Sequence, residues 1–197
     1  GVFSLLPALL DMLDGHNNAV IFLLSSIVSA FLGGGMMIAH KDFSRRLTAR
    51  QAFLLTALGM AFASLFAALP LFLSDLPLSL ADAYFEAMSG ITTTGASVLS
   101  DLEYVSRGIL LWRSMLQWLG GIGVLIFAIL LLPQLEIGGR QFFREEGMEH
   151  TEKPVSRVST LIISILVIYS GLTFLCMFFY HMGGMGWFNA LNHAMTT

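Results

Sequence analysis

Four runs of apolar residues, at 19–38, 52–73, 108–132 and 158–180, divide the chain, with polar or glycine-rich breaks between them. Each approaches or exceeds the ~20 residues that cross a hydrocarbon core as a helix. A fifth run, 2–12, is too short to span and reads as the outer end of a helix pair whose first member is cut short. The stretch between the second and third runs, 74–107, is too apolar for a solvated connector. Within it, Ser79-Leu80-Ala81-Asp82 has the pattern of a capping box, with Asp where Glu is preferred. A helix over 80–90 would be about 16 Å long at 1.5 Å per residue, roughly half a bilayer. The pattern predicts an element that enters the membrane and ends near its midplane. Irregular backbone at that depth is tolerated only where it is buried in protein or lines a water-filled path, so the pattern also predicts a pore.

Composition agrees with the solvent this implies: 56% of residues are hydrophobic and 12% charged, against about 25% charged in a soluble domain. The net charge of -3 says less than its distribution. Lys41, Arg45, Arg46 and Arg50 fall in one loop and Arg140, Arg144, Lys153 and Arg157 in another, leaving two of the ten basic residues elsewhere. By the positive-inside rule both loops are cytoplasmic. The turn at 14–18 and the segment 74–107 then face outside, where Asp11, Asp14, Asp75, Asp101 and Glu103 are expected to give a mildly acidic surface. The single cysteine, Cys176, permits no internal disulfide. The chain starts at Gly1 and stops at Thr197 in what reads as an unfinished pore segment, so it is expected to be part of a longer protein. The first apolar stretch lacks the basic flank of a signal peptide.

Sliding the chain so that Ala83, Ala87 and Met88 fall on Ala190, Ala194 and Met195 brings span 52–73 onto 159–180. The order basic loop, span, outer turn, short helix recurs without a gap. The repeated unit is therefore span, pore helix, filter loop, span, with a second pore helix from about 187. A single unit cannot enclose an ion, so several must surround an axis. A Thr or Ser followed by Gly is expected just beyond Thr197.

The loop after the first pore helix, Ser89-Gly-Ile-Thr-Thr-Thr-Gly-Ala-Ser97, offers only hydroxyls and backbone carbonyls as ligands. Rings of carbonyl oxygens are what replace the water shell of potassium in a pore. Gly95, lacking a Cβ, can take the backbone angles that aim consecutive carbonyls at an axis. The carbonyl end of the preceding helix dipole favours a cation there. In isolation Thr-Thr-Thr-Gly reads as an ordinary turn; between a pore-type helix and a span it reads as a filter.

Arg113 lies about two turns inside the third span, where an unpaired arginine costs about 2.5–3.5 kcal/mol. Glu86, the deeper of the Asp82 and Glu86 pair on one face of the pore helix, is one partner that would brace the filter from behind. The alternative is that Arg113 snorkels to the outer surface. Gly120, Gly121 and Gly123 lie within an apolar span without a preceding strand, so they read as close helix packing rather than a phosphate loop. Gly33 to Gly35 and the Gly183-Gly184-Met185-Gly186 turn read likewise, as packing or turn positions. His16, His40, His150, His181 and His193 are never paired at ligand spacing, so no metal centre is expected. No nucleophile, base and carboxylate share a depth, and an enzymatic role is not expected.

The run Asp82-Ala-Tyr-Phe-Glu-Ala-Met-Ser-Gly-Ile-Thr-Thr-Thr-Gly-Ala, followed by Leu111-Trp-Arg-Ser-Met-Leu-Gln-Trp-Leu-Gly-Gly-Ile-Gly, resembles the first repeat of the Trk/Ktr/HKT superfamily of potassium transporters, most nearly its bacterial TrkH type. The resemblance covers nearly the whole chain. Residues 1–40 correspond to a leading helix pair, 41–139 to the first pore repeat, and 140–197 to a cytoplasmic loop and the start of a second repeat at Asn189-Ala-Leu-Asn-His-Ala-Met-Thr-Thr. It implies an all-α integral membrane protein of the bacterial inner membrane, with four non-identical repeats in pseudo-fourfold arrangement. It also implies potassium as the substrate, without a cofactor, and a filter built here from Thr92, Thr93, Thr94, Gly95 and Ala96, potassium sitting at Thr93, Thr94 and Gly95. Its implied partners are a second copy in a homodimer and a cytoplasmic TrkA-type nucleotide-binding subunit, with 134–157 as a surface near the latter; lipid surrounds the spans, and nucleic acid has no role. One glycine per loop offers fewer ordered carbonyl layers than the filter of potassium channels, so weaker selectivity over sodium is expected. Two rival readings are a two-span tetrameric channel, disfavoured by the lack of Tyr-Gly after Gly95, and a polytopic membrane enzyme or scaffold.

Overall fold

A computed structural model of the chain describes residues 1–39, 49–100, 102, 105–131 and 154–197. Lys41, Arg45, Arg46, Arg140, Arg144 and Lys153 of the two basic loops, Asp101 and Glu103, and most of the surface expected to meet a regulatory partner lie outside the described residues.

A short turn of 3-10 helix, Val2–Ser4, leads into α1 (Leu5–Leu13), followed by α2 (Asn18–Ala39), α3 (Ala49–Leu73), α4 (Leu80–Ile91), α5 (Arg107–Leu131), α6 (Pro154–Met182) and α7 (Trp187–Thr196). Every described element is helical, as lipid demands of a chain whose backbone groups must be satisfied internally. Four helices are long and apolar enough to cross a membrane: Asn18–Ala39, Phe53–Leu73, Arg107–Phe127 and Thr160–Met182, with mean hydropathies of 2.0, 2.0, 1.5 and 2.4. Two helices begin earlier than their apolar runs. Arg50 lies in the first turn of α3 and Arg157 in that of α6, because a helix satisfies its own backbone hydrogen bonds and can continue past the apolar run.

The half-length helix α4 packs between α3 and α5. Its buried side carries Glu86 and Ser89 and the small residues Ala83, Ala87 and Gly90, of which Ala83 and Ala87 join Ala67, Ala68 and Leu71 of α3 and Ile109, Trp112 and Leu116 of α5 in one core cluster. Without a hydrophobic drive between helices in lipid, such small faces gain by close backbone approach. A Cβ on Gly90 would lie 2.9 Å from Leu116 Cβ. Trp112 adds direction, its indole N–H donating to the Ala67 carbonyl at 3.0 Å and tying α5 to α3.

The turn joining α1 to α2, the start of α4, the start of α5 and the turn before α7 lie at one end of the bundle, as the contacts of Asp11 with Gly108 and of Arg107 with Phe188 show. The charge pattern assigns this end to the outside. One expectation fails here. Asp11, read as part of an acidic outer surface, is completely buried, because α1 folds onto α5 and turns this carboxylate into the interface; Asp14 stays at the rim, paired with Arg107 at 3.3 Å.

Candidate functional site

The site begins with the start of α4. Ser79 is the N-cap: its Oγ accepts from the Asp82 N–H at 3.2 Å, and the Asp82 carboxylate accepts from the Ser79 N–H at 3.1 Å and from its hydroxyl at 2.6 Å. The capping box is thus complete with Asp in place of Glu. Donation by the Ser79 hydroxyl, and secondly by its N–H, holds the exposed Asp82 carboxyl below its usual range. From this cap the helix runs 12 residues, about 18 Å at 1.5 Å per residue, to a loop that turns back toward the same end of the bundle.

The turn is tightly bonded. The Thr92 N–H and hydroxyl both donate to the Met88 carbonyl, at 2.9 and 2.8 Å, and the Thr93 N–H donates to Gly90 at 2.9 Å. Ser89 then takes the loop itself: its carbonyl accepts the N–H groups of Thr94 and Gly95 at 2.9 and 3.4 Å, and its hydroxyl donates to the Ala96 carbonyl at 2.6 Å. Two residues sit in the left-handed region, Gly95 at φ 72° and Thr93 at φ 57°. For glycine this costs nothing; for a β-branched threonine it persists only where its surroundings over-determine it. The hydrogen bonds on either side of Thr93 supply that constraint. Thr93, Thr94, Gly95 and Ala96 are exposed. Among the described residues, the carbonyls of Thr93, Thr94 and Gly95 accept no hydrogen bond.

The returning strand of backbone is held by Glu86. One carboxylate oxygen accepts from the Ser97 hydroxyl at 2.7 Å and from the N–H groups of Val98 and Leu99 at 2.6 and 3.3 Å. The other accepts from Arg113 Nε at 2.9 Å. Glu86 is 3% exposed, and the Arg113 side chain 14%, so Arg113 is turned inward rather than snorkelled. The carboxylate therefore joins three elements, α4, the end of the loop and α5, in a water-poor setting where each charge-assisted bond gains strength. The Val98 and Leu99 donors were invisible to sequence reasoning, since no side chain marks a backbone N–H as a ligand.

Below the pair, Gly120 lets α5 touch the end of α4. A Cβ there would stand 2.1 Å from the Ile91 carbonyl oxygen, inside any contact distance. Gly120 lies about 20 Å along α5 from Arg107, which puts the loop deep within the span. Gly121 meets Tyr169 of α6, whose ring lies 5.6 Å from that of Trp118; Gly123 has open space around it. A cavity of about 620 Å³ lies behind the loop, between α2, α3 and α5, reaching Ile91 and Gly120. Its lining is mostly apolar, so it offers no replacement for ion hydration and reads as a gap in helix packing. The arrangement as a whole is an exposed, hydrogen-bonded loop after α4 in which, among the described residues, the carbonyls of Thr93, Thr94 and Gly95 accept no hydrogen bond. Among the described residues no three His, Cys, Asp or Glu side chains gather as metal ligands.

Comparison with known proteins gives this geometry its family. The family model of TrkH, described as a cation transport protein, matches residues 18–197. The Trk system potassium uptake protein TrkI of Halomonas elongata is 37% identical over 196 residues, covering 100% of this chain and 40% of its own length. TrkH of Vibrio parahaemolyticus is 33% identical over 199 residues, covering 100% and 41%. The crystal structure of the potassium transporter TrkH from Vibrio parahaemolyticus superposes with a TM-score of 0.84 at 31% identity, over 98% of this chain and 39% of that one. The chain spans about two fifths of the length of these relatives. Family model, relatives and superposed fold agree: this chain is a multi-pass, all-helical membrane protein and belongs to the TrkH family of cation transport proteins.

Proposed function

We propose that the protein of which this chain forms a part takes up potassium across the bacterial inner membrane, and that residues Thr92 to Ala96 contribute the first wall of its filter. The observation that carries this reading is the run of three carbonyls at Thr93, Thr94 and Gly95 that accept no hydrogen bond among the described residues, in a loop held by Ser89 and Glu86 after the half-length helix α4. Potassium would sit against those carbonyls as substrate, exchanging water for fixed oxygens, and Glu86 and Arg113 would keep the loop from collapsing as the ion leaves. The relatives are named potassium uptake proteins of Trk systems, which supports the choice of ion. Three further repeats, a homodimer and a TrkA-type cytoplasmic regulatory subunit complete the proposal. An enzymatic role has no support in the family's description as cation transport proteins. A channel of four identical subunits fits less well, because α4 and α7 differ within one chain.

The test is rubidium-86 uptake by cells without potassium systems of their own, expressing the full protein with Gly95 intact or changed to Ser. Loss of uptake, or uptake open to sodium, with normal membrane abundance is the expected result. Unchanged selective uptake would remove the loop from the ion path.

A further inference from the structure

Two carboxylates in the described chain are almost wholly buried, and both bind α5. Glu86 holds Arg113; Asp11, with no exposure at all, holds the start of the helix. Asp11 Oδ1 accepts the Gly108 N–H at 2.8 Å, and Oδ2 accepts from the Ser106 hydroxyl at 3.1 Å. That hydroxyl oxygen in turn accepts from Ile109 N–H and from the Asn18 side-chain amide, each at 3.4 Å. The first N–H groups of a helix have no partner within it, and here a residue far away in sequence supplies one. Among the described residues no Lys or Arg pairs with Asp11; the positive end of the α5 dipole and these donors carry its charge. The fit leaves no slack, since a Cβ at Gly108 would stand 2.4 Å from the Asp11 carboxyl.

We propose that Asp11 is a positioning residue for the ion path, and that the leading helices α1 and α2 act by fixing the height of α5. The inference rests on the reading of Thr92 to Ala96 as a filter. Gly108 and Arg113 lie five residues apart on one rigid helix, about 7.5 Å. α5 therefore meets α1 and α4 at three levels: Asp11 at its start, Glu86 at Arg113, and Ile91 at Gly120. Hydrogen bonds are mostly about 2.7–3.2 Å long, so a slide of α5 by one ångström cannot keep both the Asp11 and the Glu86 bonds at their present lengths. The oxygen of Glu86 that faces away from Arg113 carries Ser97, Val98 and Leu99, so a change of height reaches the returning arm of the loop. Apolar packing would join α1 to α5 with less penalty than a buried carboxylate without a cation; what the carboxylate adds is a fixed direction and distance.

The experiment measures rubidium-86 uptake by the full protein in cells lacking their own potassium systems, giving KM, maximal rate and inhibition by sodium, with membrane abundance determined in parallel. Asp11→Ala is expected to raise KM by about 3- to 30-fold, the range for residues coupled through packed networks, and to sharpen sodium inhibition. Asp11→Asn, which keeps an acceptor for the Gly108 N–H, is expected to recover most of that loss. Where Asp11→Ala fails to reach the membrane, Ser106→Ala, which removes one donor to Asp11 and the acceptor for Ile109 N–H and the Asn18 amide but keeps the Gly108 bond, is expected to shift KM in the same direction. Reduced abundance with unchanged KM and sodium inhibition across these variants would make Asp11 a folding anchor and overturn the proposal. Gly95→Ser separates the two readings. Uptake indifferent to Gly95→Ser overturns the filter and the proposal together, whereas a response to Gly95→Ser without one to Asp11 and Ser106 overturns the positioning role alone.

Discussion

The helices α4 and α7, matched by the register that sets Ala83 and Ala87 on Ala190 and Ala194, are held differently within the described chain. Both bury a pair of alanines one turn apart, Ala83 and Ala87 in the first and Ala190 and Ala194 in the second. Around that shared face the chemistry diverges. α4 starts from a closed Ser79 and Asp82 capping box, whereas α7 starts from Gly186 with no side-chain cap. The register that aligns the alanines sets Glu86, 3% exposed and bonded to Arg113, against His193, which is exposed. Where Glu86 ties α4 to α5, the start of α7 is touched instead by Arg107, whose guanidinium lies 4.6 Å from the centre of the Phe188 ring. The small-residue face lets each short helix approach its neighbours closely. Within the described residues, the ionic anchor is seen at α4, between Glu86 and Arg113.

The largest effect that would break this distinction comes from the anchor. Glu86→Ala leaves the Arg113 cation buried without its partner, and breaking such a pair costs about 3–5 kcal/mol. It also frees Ser97, Val98 and Leu99, so both thermal stability of the detergent-solubilised full protein and selective uptake are expected to be lost. His193→Ala, the register-equivalent change, removes no side-chain hydrogen bond among the described residues, only the approach to the Tyr180 ring, and is expected to cost less. Equal losses at the two positions would mean that the two helices share an anchor after all. Exchanging the charges, with Glu86→Arg and Arg113→Glu together, tests the pair itself. Partial recovery over either single change is expected if the pair acts as a unit.

Next in size is the contact beneath. Gly120→Ala forces a methyl into the Ile91 carbonyl, and overpacking of this kind costs about 1–3 kcal/mol or more. Gly123→Ala, one turn along α5 with nothing within 4 Å, is expected to be neutral in the same melting experiment. The shared face should behave alike in both repeats. Ala87→Leu and Ala194→Leu are each expected to lower stability by about 1–3 kcal/mol; a tolerant Ala194 would show that α7 packs less closely than its burial implies.

How much of this could be read in advance depended on whether the information was local. Hydropathy marked the spans, and Ser79 with Asp82 marked the start of α4, because caps and spans are written in neighbouring residues. Glu86 and Arg113 could be matched only as one of two alternatives, since depth made each a candidate without fixing rotamers. Asp11 was misplaced, because nothing in the short apolar run around it says that it folds onto a helix beginning nearly a hundred residues later. The left-handed φ of Thr93 was equally hidden: the residue type argues against it, and only the bonds around Met88, Ser89 and Gly90 impose it. The contact of Gly120 with Ile91 was read in kind, as close packing, but its partner awaited the fold.

The smallest expected effect lies at the caps, where the two helices can be made more alike. Ser79→Ala removes the acceptor for the Asp82 N–H and is expected to cost about 1 kcal/mol. Gly186 already has extended backbone, φ -61° and ψ 146°, so Gly186→Ser can supply α7 with a cap without strain; glycine is itself a fair N-cap, and the gain is expected to be only a few tenths of a kcal/mol. Protonation offers a second handle on the same asymmetry. The Asp82 carboxyl is held below its usual value by Ser79, so its contribution is present in full above the unfolded value of about 3.9 and fades as pH falls through the lower folded value. Melting followed from pH 6 down to about 3 should therefore show a slightly shallower acid loss in Asp82→Asn than in the parent. Since α7 has no carboxylate in its first turn, Gly186→Ser should leave the acid slope unchanged. A slope altered by Gly186→Ser would show that the caps of the two repeats are coupled, and the separation between shared face and private anchor would have to be redrawn.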